Sequence, residues 1–340
     1  MGVREITYRD AIREALREEM LRDERVFLMG EDIGYYGGSY AVTKGFLQEF
    51  GPDRVRDTPI SELAIVGLGV GAAIGGLRPV VELMTINFAL LAMDQIVNHL
   101  AKIYYMFNGQ FTAPVVVRTT SGFGQLGATH SQTFENWFAH VPGLRVVMPS
   151  VPKDAKGMLK AAIRGNDPVI FIEHTLIYRN RGEVPDDEDY LQPLEGAEVR
   201  REGTDCTIVS WGRDYYLALG AAEDLAREGI ECEVIDLRAI RPLDIETIVQ
   251  SVQKTNRLVV VEDGWRTLGV GAEIAAAVQE RAFDYLDAPV ARVAALEVPM
   301  PYARNLEQLV VPNKARVVEA VRQVLYQQQP APAVVGTGAH

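Results

Sequence analysis

RGEVPDDEDYLQPLEGAEVRREG, residues 181–203, is polar, acidic and proline-containing. That is the composition of a connection rather than of a packed element. What flanks it decides the fold. Downstream, apolar runs that read as strands (206–211, 231–237, 258–262 and 290–295) alternate with helical patterns at about 215–228, 245–255 and 271–283, and a last helix is expected over 313–326. Upstream the alternation is similar. Thr7 is placed to cap a helix with Ile12, Leu16 and Met20 on one face, and strands are expected at 25–29, 79–86, 114–119, 144–148 and 169–173. Helices are expected at 43–50, from Ser61 onward, at 88–107 (closed by Asn108-Gly109) and at 153–164. Strands alternating with helices predict an α/β protein with mostly parallel sheets flanked by helices. The expected division is a first domain over 1–180, a linker over 181–203, a second domain over 204–327 and a disordered tail over 328–340.

The 340 residues, 48% hydrophobic and 24% charged, suffice for two such cores. A formal net charge of −12, with neither a basic face nor a basic tail, argues against nucleic acid and anionic lipid as partners. The longest apolar run, Leu63 to Leu77, has 15 residues including five glycines, short of the roughly 20 needed to span a bilayer. MGVREITYRD at the start shows no signal-peptide pattern, so a cytoplasmic location is expected. The two cysteines, Cys206 and Cys232, lie in apolar runs and read as core residues.

Three places carry candidate chemistry. Gly67, Gly69 and Ala72 match a relaxed dinucleotide-binding turn, which requires Leu63–Val66 to be a strand; Ser61 as a helix cap argues instead for a helix with a smooth packing face. Glu62 follows Asp57-Thr-Pro-Ile-Ser61 and opens that run, where a carboxylate is favoured by the helix dipole and also stands at a strand-to-helix junction suited to ligand binding. Phe88, in Met84-Thr-Ile-Asn-Phe88, is core filler or a platform for a flat ring. His130, alone among the five histidines, is flanked by hydroxyls and an amide after a glycine loop, a setting for proton transfer or substrate polarisation. His140 and His174 read as core or surface residues, and His99 as a helix position.

Longer motifs then carry a resemblance. PISE at 59–62, ELMTINF at 82–88, AMDQIVNHLAKIYYMFNGQ at 92–110, THSQTFENWFAHVPGLRVVMPS at 129–150 and EVPMPYARNLE at 297–307 resemble the beta subunit of the thiamine-diphosphate-dependent component of 2-oxo acid dehydrogenase complexes. The resemblance runs from about Thr7 to Leu325. It implies a transketolase-like fold, with a pyrimidine-binding domain followed by a transketolase C-terminal domain. It also implies that Glu62 hydrogen-bonds the aminopyrimidine of thiamine diphosphate, that Phe88 stacks on that ring, and that His130 stands near the substrate and the incoming lipoyl group. Ile60, Met84 and Gln95 are implied as further cofactor-pocket residues. The cofactor supplies a nucleophilic thiazolium carbon and an electron sink.

Thiamine enzymes hold magnesium and the diphosphate with a Gly-Asp-Gly motif that this sequence lacks; Glu262-Asp-Gly264 is its nearest approach. The resemblance places that half of the site, and most of the Mg2+ ligation, on an alpha subunit, giving an α2β2 heterotetramer that serves a lipoyl-bearing dihydrolipoamide acyltransferase core. It further implies a structural potassium ion on the backbone carbonyls of Val115, Ala162, Ile163, Gly165 and Asp167. Asn87-Phe88, Tyr104-Tyr-Met106 and Trp137 look most like the pyruvate-specific members, which decarboxylate pyruvate and reductively acetylate the lipoyl group. Branched-chain 2-oxo acids and acetoin are alternative substrates. An NAD-binding dehydrogenase and a noncatalytic docking subunit are the competing readings from other classes.

Overall fold

The computed structural model describes residues 2–326; the tail expected at 328–340 lies outside them. In the first domain the strands are β1 (Val3–Thr7), β2 (Val26–Gly30), β3 (Val55–Asp57), β4 (Arg78–Leu83), β5 (Val116–Ser121), β6 (Arg145–Val147) and β7 (Val169–His174). β8 (Arg181–Pro185) and β9 (Glu198–Arg201) follow inside the stretch expected as a linker. The second half adds β10 (Cys206–Ser210), β11 (Cys232–Asp236), β12 (Ala239–Arg241), β13 (Leu258–Trp265) and β14 (Ala291–Ala295).

The larger sheet has the order β12-β6-β7-β5-β4-β2-β3, parallel throughout except for β12 at its edge. Its central strands are buried end to end, as expected of parallel strands covered on both faces. The smaller sheet, β14-β13-β10-β11-β9, is parallel except for β9. β1 and β8 form a separate antiparallel ribbon.

Helix Tyr8–Arg22 begins where expected, the Thr7 hydroxyl accepting from the Asp10 N–H at 3.1 Å. It packs on helix Pro152–Arg164, where the buried amines of Lys156 and Lys160 reach Glu18 at 2.6 and 2.5 Å. Buried charges of this kind persist only when paired. Cys206 and Cys232 are buried neighbours on β10 and β11, and both are free thiols.

Two expectations need correction. The stretch 181–203 contributes a strand to the ribbon and another to the second sheet, because the apolar or long-stemmed residues in EVP and EVRR alternate well enough to pair at sheet edges. β12 crosses back to the first sheet, so the two halves share an edge. The continuous helix expected over 88–107 is also broken. A 3-10 segment (Ile86–Ala92), a π segment (Gln95–Leu100) and a short α-helix (Ile103–Met106) replace it. Thr85, which could have capped a helix, instead has its hydroxyl taken by Asn87 Nδ2 at 2.7 Å, so the chain enters through a tight turn with the Phe88 N–H on the Thr85 carbonyl at 3.0 Å. The Ala101 N–H reaches back five residues to Ile96 at 3.1 Å, the widened spacing of a π turn.

Candidate active site

The candidate residues gather where parallel strands of the larger sheet end, the usual place for ligands in such sheets. Glu62 is the first residue of helix Glu62–Ile74 and is only 3% exposed. Among the described residues its carboxylate meets no hydrogen-bond donor and no cation. Ser61, expected to cap this helix, makes no side-chain cap bond. The helix settles the Gly67, Gly69, Ala72 motif: Leu63–Val66 is helical, so no strand enters a dinucleotide turn and the NAD reading fails. The glycines answer to packing instead. A Cβ on Gly69 would stand 2.8 Å from Val81 Cγ1 of β4, and one on Gly67 would stand 3.2 Å from Gln95 Oε1. Gln95 therefore packs on the helix that Glu62 begins.

The next strand end supplies Met84, half-buried, whose carbonyl accepts from Thr120 Oγ1 at 2.9 Å. The tight turn after it fixes Asn87 and Phe88. The buried Asn87 side chain accepts from the Gln132 N–H at 3.1 Å and from Gln132 Nε2 at 3.2 Å. This ties the turn to the glycine loop that carries His130. The Phe88 and His130 rings meet edge to face, with centroids 5.3 Å apart. His130 is exposed, its Nδ1 3.0 Å from Thr129 Oγ1. Ile60 stands beside Glu62 but is 82% exposed, so within this chain it walls nothing. A cleft of about 520 Å³ opens on the far side of Ser61, lined by Met29, Tyr35, Asp57 and Leu68 among others; Glu62, Phe88 and His130 do not line it.

Sequence reasoning missed two groups here, Glu31 and Glu135, and one contact, that of His174. Glu31, at the end of β2, has its carboxyl pushed above the usual range by burial and by the neighbouring charges of Glu62 and Asp32. Its proximity to Glu62 depends on β2 and the Glu62 helix lying side by side, which no local pattern reveals. Glu135, five residues after His130, is fully buried, and burial pushes it to about 7. His174 is buried with its Nε2 3.0 Å from Asp263 Oδ2 of the second domain, while its Nδ1 accepts from the Leu176 N–H. Of the core or surface placements expected for His174 the structure shows the core, with a bridge between domains added to it. His99 is exposed, 3.7 Å from Asp94.

The carbonyls expected to hold potassium do not form an open cage. Arg78 donates from Nε to the Ile163 carbonyl at 2.8 Å and from its terminal nitrogen to the Gly165 carbonyl. The Val115 carbonyl accepts from the Val169 N–H at 3.0 Å as part of the sheet. A guanidinium already supplies the positive charge at two of the five carbonyls, so the residues present do not fit that ion, and we assign none to them.

Known families match both halves of the chain. The transketolase pyrimidine-binding domain matches residues 4–181 and the transketolase C-terminal domain matches 195–317. A pyruvate dehydrogenase E1 component subunit beta from Rickettsia felis is 50% identical over 95% of this chain and 99% of its own length. The subunit of that name from Rhizobium meliloti is 52% identical over 94% of this chain and 70% of its own. The mitochondrial beta-1 subunit of Arabidopsis thaliana is 50% identical over 96% and 92%. The chain belongs to the pyruvate dehydrogenase E1 beta-subunit family. A solved split-gene transketolase, described as an inactive beta4 tetramer, superposes with a TM-score of 0.76 at 23% identity, covering 95% of this chain and 99% of its own, and so confirms the fold. Glu62, Phe88 and His130 all fall within the pyrimidine-binding match, whereas Asp263 and Glu307 lie in the C-terminal one.

Proposed function

We propose that this chain is the beta half of a thiamine-diphosphate-dependent pyruvate dehydrogenase, complete only with an alpha subunit. One observation carries the reading: the carboxylate of Glu62, on a residue only 3% exposed, meets no donor and no cation among the described residues, next to the exposed apolar side chains of Ile60 and Leu63. A nearly enclosed carboxylate with no donor from its own chain is open to sharing a proton with a ring nitrogen, and an aminopyrimidine offers one. The half-buried ring of Phe88 suits a stacking platform next to the turn that Asn87 holds. When bound, the cofactor supplies a nucleophilic thiazolium carbon and the electron sink that loss of carbon dioxide from a 2-oxo acid requires. This chain's own part is to hold a proton at the Glu62 carboxylate, to orient the ring on Phe88, and to present the His130 imidazole as a proton donor to the substrate oxygen or lipoyl sulfur. Diphosphate and Mg2+ fall to the alpha partner, since Gly-Asp-Gly is missing from the sequence. The lipoyl group of a dihydrolipoamide acyltransferase core is the acyl acceptor.

Co-expression with an alpha partner tests the reading. The complex decarboxylates pyruvate in the presence of thiamine diphosphate and Mg2+, and the isolated chain does not; turnover by the isolated chain would sink it. A panel of pyruvate, branched-chain 2-oxo acids and acetoin on the complex tests the substrate assignment. A noncatalytic docking role predicts instead that altering Glu62 or His130 leaves turnover unchanged.

A further inference from the structure

The loop that carries His130 has little backbone bonding of its own. Gly122, Gly124, Gln125 and Gly127 all adopt positive φ, at 128°, 140°, 60° and 76°. Among the described residues, no backbone-to-backbone hydrogen bond outside the regular elements involves residues 122–133. Besides the loop's own Gln132 Nε2, which donates to the Thr129 carbonyl at 3.4 Å, two side chains from outside anchor its backbone. Asn87, from the first domain, accepts from the Gln132 N–H at the far end of the loop. Glu307, from helix Arg304–Val310 of the second domain, accepts at one oxygen from the Gly124 N–H at 3.2 Å and the Gln125 N–H at 2.7 Å. Glu307 is only 5% exposed and, among the described residues, has no cationic partner. A buried carboxylate is costly, and these two backbone donors are what compensate it. The same domain grips the loop start a second way. Phe123 sits in a cluster with Ala295, Met300, Val310 and Val311, and the Arg213 guanidinium lies 4.8 Å above its ring.

We propose that Glu307 is a positioning residue for His130: through the Gly124–Gln125 backbone it sets where the imidazole stands against Phe88. The C-terminal domain thereby takes part in catalysis without supplying a group that touches substrate. The inference rests on the reading of His130 as an acting residue. Misplacement of a reacting group by about 1 Å costs on the order of 100-fold in rate.

The test uses the chain assembled with its alpha partner and the variants Glu307→Gln, Glu307→Ala, His130→Ala and the His130→Ala/Glu307→Ala double. Glu307→Ala is expected to lower lipoyl acetylation by about 10–100-fold and to speed amide exchange at Gly124 and Gln125 at least tenfold, with exchange in the central strands β5 and β7 unchanged. Glu307→Gln keeps an accepting oxygen and the volume, so it recovers most of the rate and remains readable if the alanine variant fails to assemble. The double variant is expected to be no slower than His130→Ala alone. Unchanged exchange at Gly124 and Gln125 in Glu307→Ala, or losses that multiply in the double, overturns the inference. Unchanged turnover in His130→Ala instead overturns the reading of His130, and the exchange measurement still shows separately whether Glu307 holds the loop.

Discussion

Glu62 and Glu135 are both buried carboxyls next to the site, and their surroundings ask different things of them. Glu62 opens a helix and lacks a donor. If it holds a cofactor proton, Glu62→Gln keeps the volume and lowers decarboxylation by at least about 100-fold, while sedimentation of the alpha–beta complex stays that of the parent. Activity within tenfold of the parent would remove Glu62 from this role. Glu135 carries a pH effect whose sign is fixed. Burial raises its folded value to about 7, above that of the unfolded chain, so the folded state binds the extra proton. Its contribution is therefore fully present at low pH and is lost as pH rises from about 4.5 toward 7, by at most on the order of 3 kcal/mol. Glu135→Gln, neutral throughout, is expected to unfold at a higher temperature than the parent at pH 8 and to differ little from it at pH 5. Equal midpoints at pH 8 would refute the assignment. His130 and Phe88 could be singled out in the sequence because hydroxyl, amide and strand-end context are local signals, and the structure brings their rings together. Glu31, Glu135 and Glu307 were not, because a carboxylate's meaning depends on who faces it across the fold.

Helix Glu62–Ile74 shows how far local signals reach at the level of the element. Its existence was legible, but five glycines in Leu63–Leu77 left open whether they served a nucleotide or a packing neighbour. The structure separates them by what each faces. Gly69 abuts Val81, so Gly69→Ala is expected to cost about 1–3 kcal/mol through overpacking. Gly71 is exposed, with nothing within 4 Å of an added Cβ, so Gly71→Ala is expected to stabilise the isolated chain by about 0.5–1 kcal/mol. Thermal unfolding of the two variants checks the contrast; a destabilised Gly71→Ala would show that the face is not open. The segment after β4 was the harder case. Its apolar spacing reads as one helix; the Thr85 hydroxyl bonding Asn87 marks its entry as a tight 3-10 turn, and the Ala101-to-Ile96 bond closes a π segment further on, neither of which periodicity encodes. Arg78 is similar: its guanidinium ties the start of β4 to the end of helix Pro152–Arg164, a long-range clasp where the family resemblance implied carbonyls holding an ion.

At the level of the whole molecule, the alternation of strands and helices was enough to give two α/β halves, but not the strands that knit them. β8, β9 and β12 are short edge strands of three to five residues with mixed polarity, and edge pairing leaves little trace in composition. One feature of the surface then bears on assembly. Ile60, Leu63, Leu68, Leu91, Tyr104, Tyr105 and Met106, all from segments flanking the Glu62 and Phe88 turns, are exposed. Large exposed apolar patches on a folded chain mark interaction sites, and obligate subunit interfaces bury on the order of 2,000 Å² or more. If this face meets the alpha subunit, the Glu62 site is completed there, and assembly and activity must fail together. Leu68→Asp and Tyr105→Asp place charges on the face without touching the core, so the unfolding midpoint of the isolated chain should move little, by the equivalent of about 0.5 kcal/mol or less. Co-expressed with the alpha partner, the double variant is expected to sediment as free chain and to show less than a hundredth of the parent's turnover. Assembly at the parent's concentration dependence would mean that the alpha subunit binds elsewhere, and that Glu62 is buried for a reason internal to this chain.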